Sequence, residues 1–375
     1  MSISQRFTAL DVFRGMTICF MIIVNTPGNG EFTFSPLLHA KWFGFTPTDL
    51  VFPSFLFAVG NALSFVVQKW HVKSQSDVLL KIARRTFVIF LLGYLMYWFP
   101  FFRLNDLNQI TAFPISETRI MGVLQRIALC YGITALMVYY LKPKTMIFVA
   151  IGLLLVYWLM MLLFGDTGNL LTMQGNAGFK FDRWLMGEKH MYHGEGVAFD
   201  PEGWLSTLTA ICNMVAGYIA GQWIQQKGKT YEGLTKLLLA GFAFLVIAYF
   251  WNFSFPVSKK LWTSSFVMLT VGLDCIILAA IIYLINFAHQ TRWTYFFEVV
   301  GKNPLLVYLL SELLVTVLNM IPVGGGDEHL FGWIYQHVFS FAGDYYSSLL
   351  FAVCYMLLCW SVGYILDKRK IYVRI

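Results

Sequence analysis

An all-α, polytopic membrane helix bundle is the fold class this sequence predicts, and three observations lead to it. Of 375 residues, 58% are hydrophobic and only 13% are charged, with a mean hydropathy of +0.64, outside the range of soluble globular chains. The apolar residues fall in runs close to the ~20 residues that a helix needs to cross a hydrocarbon core of about 30 Å. The Lys and Arg residues gather in alternate connections between those runs, as topology signals do.

Taken in order, the runs place about ten spans near 12–27, 50–68, 86–100, 120–140, 145–164, 204–224, 237–252, 262–286, 303–321 and 347–366. A short polar start precedes the first, so no soluble domain is expected ahead of the membrane part. That first run carries Arg14 and Asn25 and has no small-residue cleavage site, so it reads as a retained helix and not as a cleaved signal. Thr48 and Asp49 give the second span an N-terminal cap. The basic stretch QKWHVKSQSDVLLKIARR leads into the third, where Lys81, Arg84 and Arg85 are either topology and headgroup signals or contacts for a phosphate-rich ligand. Residues 330–342 are too short for a span and read as interfacial or re-entrant. The whole of 1–375 reads as one transmembrane domain. With the N-terminus inside, 18 of the 27 Lys and Arg residues lie on the inner side, which predicts an N-in/C-in topology. The net charge of +7 follows that topology and argues against nucleic acid as a partner. Six cysteines all fall within spans without a CxxC pair, so neither a disulfide frame nor a metal site is expected.

Polar chemistry concentrates between the first two spans. Asn25, His39 and Asp49 sit near the outer membrane face, where such groups are costly in hydrocarbon and form a candidate catalytic set. Trp42 lies beside them. Asp11 and Arg14, three apart, can pair on one helix face and either hold helix ends or meet a ligand. Arg119 and Arg126 are seven apart, two turns along one face, with Gln125 alongside. Inside a span, Arg126 must face protein, a wet cavity or an anion, with Asp274 as the structural partner to weigh. The outer segment 165–203 is far longer than a typical connection and reads as a binding cover on the same side as His39. Its Trp184 and Tyr192, with Trp204 just beyond, offer flat apolar faces, while Asp182, Glu188, His190, His193, Asp200 and Glu202 offer hydrogen-bond groups, a mixture that suits a sugar. A zinc site from His190, His193 and Glu195 lacks a helical HExxH or nearby cysteines, so no metal is expected. Asp200-Pro-Glu-Gly reads either as a helix entry or as carboxylates for a substrate amine. Lys259 and Lys260 either meet an acidic glycan or snorkel.

Several stretches carry a family resemblance. ALDVFRG from Ala9, Val24 with Asn25, HAKWFGFTPTDLVFPSFLFAVG from His39, GVLQRIALCY from Gly122, DPEGWLSTLTAI from Asp200, LWTSSFV from Leu261 and GKNPLLVYLLSEL from Gly301 occur in order. Together they resemble the membrane-bound heparan-α-glucosaminide N-acetyltransferase family and its bacterial relatives. The resemblance implies transfer of acetyl from acetyl-CoA to a glucosamine amine across a membrane, with His39 as the catalytic residue. Some basic or polar groups must then meet coenzyme A, and Arg126, Gln125 and Arg14 are the candidates. Asp200, Glu202, Trp42 and Trp204 are the candidates for the acceptor. The implied partners are acetyl-CoA, an amino sugar or related glycan, and the lipid bilayer, with a homodimer left open. The implied location is a bacterial inner membrane, with the catalytic loop facing the periplasm or exterior.

A histidine, with a reference pKa near 6.5, can take the amine proton or can itself carry the acetyl group, and both roles stay open. The rival reading is a transporter or flippase, in which Arg126, Asp274 and Glu312 line a path and His39 is a gate. The polar residues cluster toward the outer loops and no internal repeat is visible, which favours the enzyme.

Overall fold

The structure, a computed structural model, describes residues 7–70, 72–104, 109–323 and 328–373; the expected outer turn at 322–327 lies mostly outside them. In chain order the helices are α1 (Thr8–Asn25), α2 (Pro47–Val67), α3 (Gln75–Trp98), α4 (Val123–Tyr140), α5 (Pro143–Phe164), α6 (Ala177–Met186) and α7 (Thr207–Lys227). They continue with α8 (Tyr231–Asn252), α9 (Ser264–Ile282), α10 (Thr294–Lys302), α11 (Pro304–Met320), α12 (Leu330–Ile334) and α13 (Asp344–Lys368). One small antiparallel hairpin, β1 (Phe102–Leu104) with β2 (Ile110–Ala112), stands between α3 and α4.

Each of the ten expected spans falls on one of these helices. Among the described residues seven helices are long and apolar enough to cross a membrane, or eight if α10 and α11 count as one bent span, and the chain is an integral membrane protein. Two of the expected spans, on α3 and α7, fall short of that composition for different reasons. The start of α3 is charged, with Asp77, Lys81, Arg84 and Arg85, whereas α7 carries Thr207, Thr209 and Asn213 on buried positions.

The chain divides into two compact units, one formed by residues up to 40, 46–55 and those from 280 onward, the other by 41–45 and 56–279. In the first, α1 packs against α10, α11 and α13. Glycines set the closest approach: a Cβ on Gly15 would overlap the Phe297 carbonyl, and one on Gly301 would overlap that of Asp11. The 81° bend between α10 and α11 falls at Asn303, because Pro304 disfavours the helical conformation in the residue before it. Asn303 turns the bend into an anchor, donating to the Ile371 carbonyl at 2.9 Å and accepting from the Val373 N–H at 2.9 Å.

In the second unit α3 packs on α4, and α7 lies against α4, α5 and α8. The expected cover over 165–203 is not an open loop. Asn176 caps α6 by accepting from the Phe179 N–H at 2.8 Å, and its amide nitrogen donates to the Thr172 and Met173 carbonyls. Phe179, Met186, Met191 and Phe199 of that segment then bury with Met121, Tyr157 and Phe255 in one apolar core. Burial on this scale, at roughly 25 cal/mol per Å² of apolar surface removed from water, is what fixes the segment in place.

Candidate functional site

In the first unit the functional geometry centres on Asp49, the third residue of α2. Its side chain is wholly buried and its Oδ2 accepts from the Thr46 N–H at 2.9 Å and the Ala40 N–H at 3.2 Å, with the Thr46 hydroxyl 3.1 Å away. That hydroxyl also lies 2.7 Å from the Leu38 carbonyl. The other oxygen, Oδ1, meets His39 Nδ1 at 2.6 Å. Asp49 is thus held on one edge by backbone and aims its second oxygen at the imidazole. A carboxylate accepts and does not donate, so the pair fixes the proton on Nδ1 and leaves the lone pair on Nε2. The imidazole is 41% exposed while its partner is 0% exposed, an arrangement of a reachable base on a fixed orienting group.

Asn25, at the end of α1, donates through Nδ2 to Glu312 Oε1 at 3.2 Å, so the bond it makes ties α1 to α11. Arg14 pairs with Asp11 at 2.6 Å, as its spacing predicts, and its Nε donates to the Gly301 carbonyl at 2.8 Å. Both contacts serve the α1–α10 junction.

The second unit holds an ion network that the sequence does not announce. Arg119 grips Asp200 with two bonds, Nε to Oδ2 at 3.0 Å and Nη2 to Oδ1 at 2.7 Å, and Nη2 also reaches Glu202 at 2.7 Å. Its guanidinium lies 4.9 Å from the Tyr97 ring centre and 4.7 Å from that of Tyr192. Lys259 stands 3.9 Å from Glu202, and Lys260 binds Glu195 at 2.5 Å. Two sequence expectations are corrected here. Helix α4 begins only at Val123, so Arg119 lies in the loop ahead of it and does not share a helical face with Arg126. Helix α7 begins only at Thr207, so Asp200 is no helix cap; its Oδ1 accepts from the Glu202 N–H at 3.0 Å in a local turn.

Charge decides the protonation states of this network. Burial alone would raise the Glu202 carboxyl, but Lys259, Arg119 and Arg126 together pull it down to about 2. The cations hold it ionised. Asp182, on α6, behaves in the opposite way: burial first, and then the negative Asp200, push its carboxyl up to about 7 against the Leu205 and Trp204 N–H groups that it accepts from. Its other oxygen presses on Gly203, where any Cβ would overlap it. His190, weighed above as a metal ligand, instead uses Nδ1 on the Thr118 carbonyl at 2.7 Å.

Arg126 is fully buried, donates through Nη2 to the Gly203 carbonyl at 3.0 Å and to the Ser206 hydroxyl, and lies 4.7 Å from the Trp262 ring centre. It makes no ion pair among the described residues, so the pairing with Asp274 weighed from the sequence is replaced by these neutral partners. Its Nε and Nη1 have no hydrogen-bond partner among the described residues, and neither has either amide atom of the buried Gln125. The two adjacent residues aim differently. Gln125 Oε1 lies against α3 at Gly93, whereas Arg126 reaches the turn that leads into α7. Trp42 Nε1 donates to the Leu171 carbonyl at 2.7 Å and its ring packs on Phe199, while the buried indole nitrogen of Trp204 has no partner among the described residues.

Residues 6–181 match a family model described as heparan-alpha-glucosaminide N-acetyltransferase, catalytic. The heparan-alpha-glucosaminide N-acetyltransferase of Mus musculus is 27% identical to this chain, over 84% of the chain and 54% of that protein. The Homo sapiens protein of the same name is 27% identical, over 83% and 53%. The chain thus spans about half the length of the curated relatives it matches.

Proposed function

We propose that the chain, whose residues 6–181 match the catalytic family model of heparan-alpha-glucosaminide N-acetyltransferase, is a membrane N-acetyltransferase that moves acetyl from acetyl-CoA to an amino-sugar or related glycan acceptor. The observation that carries the proposal is the 2.6 Å contact between His39 Nδ1 and the buried Asp49 carboxylate. In a direct transfer the acceptor amine attacks the thioester carbonyl carbon, the new C–N bond forms as the C–S bond breaks, and His39 Nε2 takes the amine proton and returns it to the departing thiolate. In a two-step transfer Nε2 attacks the thioester carbon, the C–S bond breaks and coenzyme A leaves as its thiolate, and the amine then displaces the ring, its proton passing through the freed Nε2 to solvent, where the thiolate is protonated. Both routes need the Nδ1–H tautomer that Asp49 favours.

The unmet donors of Arg126 and the unmet amide of Gln125 suit an acceptor-rich ligand, and we assign these two residues to acetyl-CoA. Arg14, already bonded to Asp11 and Gly301, adds least to that assignment. Trp42 and Trp204 offer flat faces to the sugar ring, whereas Asp200 and Glu202 act through Arg119 as positioning residues. Asn25 ties the end of α1 to α11 through Glu312, and on this reading it acts by fixing the point from which the His39 segment departs. On the side of the membrane, the inner bias of 18 of 27 basic residues supports both termini inside, acetyl-CoA arriving from the cytosol of a bacterial cell and the acceptor bound outside.

The test is radiolabelled acetyl-CoA given to the purified full chain with a panel of amino sugars, alongside the same sugars offered to vesicles that carry it. Label on a sugar supports the transferase; uptake of unmodified sugar without transfer overturns it in favour of a transporter. Rapid quench without acceptor separates the two routes, since label on His39 marks the two-step one.

A further inference from the structure

A groove opens between α3 and α4 in the second unit, away from the network just described. It encloses about 580 Å³ and its lining includes Ile82, Ala83, Thr86, Phe87, Gly132 and Leu136. Ala83 leaves space between bulkier neighbours, and Gly132 lets α4 come directly against Thr86 of α3. Phe87 is 65% exposed and Leu136 40% exposed at its open side. Helix α4 is apolar enough to cross a membrane, so the medium outside this face is hydrocarbon. A hydrocarbon chain therefore matches the lining.

One end of the groove is strongly basic. Lys81, Arg84 and Arg85 stand on α3 beside the lining residues Ile82, Ala83 and Thr86, and Lys69 and Lys73 come from the turn before that helix. These charges are close in space: burial, and then Lys73, Arg85 and Lys69, press the Lys81 ammonium below its usual value. None of the five makes an ion pair among the described residues. Arg85 is drawn to the seam between the helices, its guanidinium 4.6 Å from the Tyr131 ring centre and its buried Nε without a hydrogen-bond partner among the described residues. Five cations against one carboxylate on the same stretch, the exposed Asp77, carry a net positive charge at the end of an apolar groove and form a complement to a phosphate attached to an acyl chain.

We propose that this groove and its basic collar bind one anionic phospholipid, an acyl chain lying between α3 and α4 and the phosphate resting on Lys69, Lys73, Lys81, Arg84 and Arg85. A second copy of the chain fits less well. A two-fold axis along the membrane normal would bring two like-charged collars to the same side of one interface.

Native mass spectrometry of the purified full chain in a non-ionic detergent, titrated with dioleoyl phosphatidylglycerol or dioleoyl phosphatidylcholine, tests the site. The expected result is one retained phosphatidylglycerol, held about tenfold more tightly than phosphatidylcholine. Replacing the exposed Lys69, Lys73, Lys81 and Arg84 by Gln should erase that preference. Ala83→Trp, which fills the groove from its open side and leaves the collar intact, should reduce retention of both lipids. Equal retention of the two lipids by the wild type, or a preference that survives both variants, overturns the proposal. So does one-for-one displacement of the lipid by free coenzyme A, which would make the collar a site for a soluble phosphate. Lipid retained only between two copies, and lost when they dissociate, would assign the face to a dimer and overturn it as well.

Discussion

Replacing Asp49 by Asn tests the role of His39 with the least structural disturbance. Oδ2 of Asp49 accepts from the Thr46 and Ala40 N–H groups at 2.9 and 3.2 Å, while Oδ1 faces His39 Nδ1 at 2.6 Å. Asn has one acceptor oxygen, and the two backbone donors require it at the Oδ2 position. The amide nitrogen then takes the place of Oδ1 and presents N–H to an imidazole nitrogen that already carries its own proton. Two donors cannot share that contact. The ring keeps a bond only by moving its proton to Nε2, which removes the lone pair needed to accept a proton or attack a thioester. Loss of a positioned base lowers rates by about 10²- to 10⁴-fold, or roughly 3 to 5 kcal/mol in the barrier. In the radiolabel assay, Asp49→Asn should lower kcat by that factor while KM for acetyl-CoA stays within about twofold, and adding it to His39→Ala should cost little more than His39→Ala alone. The thermal midpoint in detergent serves as the folding control. A folded Asp49→Asn protein that turns over within about threefold of the wild type would refute the pairing as catalytic.

Three further expectations follow from the second unit. Asp182, held near about 7 against an ordinary 3.8, keeps its proton in the folded state where the unfolded chain has lost it, so stability should fall as pH rises from about 4 to 7 and level off above. The loss is on the order of 4 kcal/mol at most; Asp182→Asn, which keeps an acceptor for the Trp204 and Leu205 N–H groups, should flatten the dependence of the thermal midpoint between pH 5 and 8, and an unchanged slope would dismiss Asp182 as its source. Arg119→Lys leaves one ammonium where two bonds held Asp200 and a third held Glu202, and denaturant titration should register a loss of roughly 3 to 5 kcal/mol for a broken buried pair; a loss under about 1 kcal/mol would mean the network is not structural. Arg126→Lys should weaken acetyl-CoA binding, since an ammonium cannot reproduce the guanidinium fork, and unchanged affinity by calorimetry in a folded variant would remove Arg126 from the donor site.

Much of the fold is legible in the sequence because hydrocarbon imposes it. Each expected span lies on a helix since every backbone polar group in a bilayer must be bonded within its own segment, and an apolar run of that length has few other ways to comply. The cover was readable only as a long polar segment. Its helix α6 is short, and the one local sign, Asn176 ahead of Phe179 and Phe181, resembles many loop sequences. The pairing of Asp11 with Arg14 was readable because helical spacing alone brings them together. Arg119 was not, because its partners lie 81 and 83 residues away and no local rule links them. His39 and Asp49, ten residues apart, were readable only as members of one candidate set with Asp49 either a helix cap or a catalytic group; the geometry has one edge of the carboxylate meet the backbone at the start of α2 and the other meet the imidazole.

The contrast between the two arginines of the second unit separates architecture from candidate chemistry. Arg119 and Arg126 are both withdrawn from solvent, and burial makes an unmet donor costly in either case, about 1 to 3 kcal/mol and more for a charged group. Arg119 meets that demand with two carboxylates and two aromatic faces, all supplied by the protein itself. Arg126 does not: the protein offers it a carbonyl, a hydroxyl and the face of Trp262, and two of its nitrogens find no partner among the described residues. The nearby anions Glu202 and Asp200 are already taken up by Arg119, so they moderate the charge of Arg126 without bonding it. On the proposed assignment of Arg126 to acetyl-CoA, its Nε and Nη1 would donate to phosphate oxygens of that ligand, as Arg119 donates to the two carboxylates.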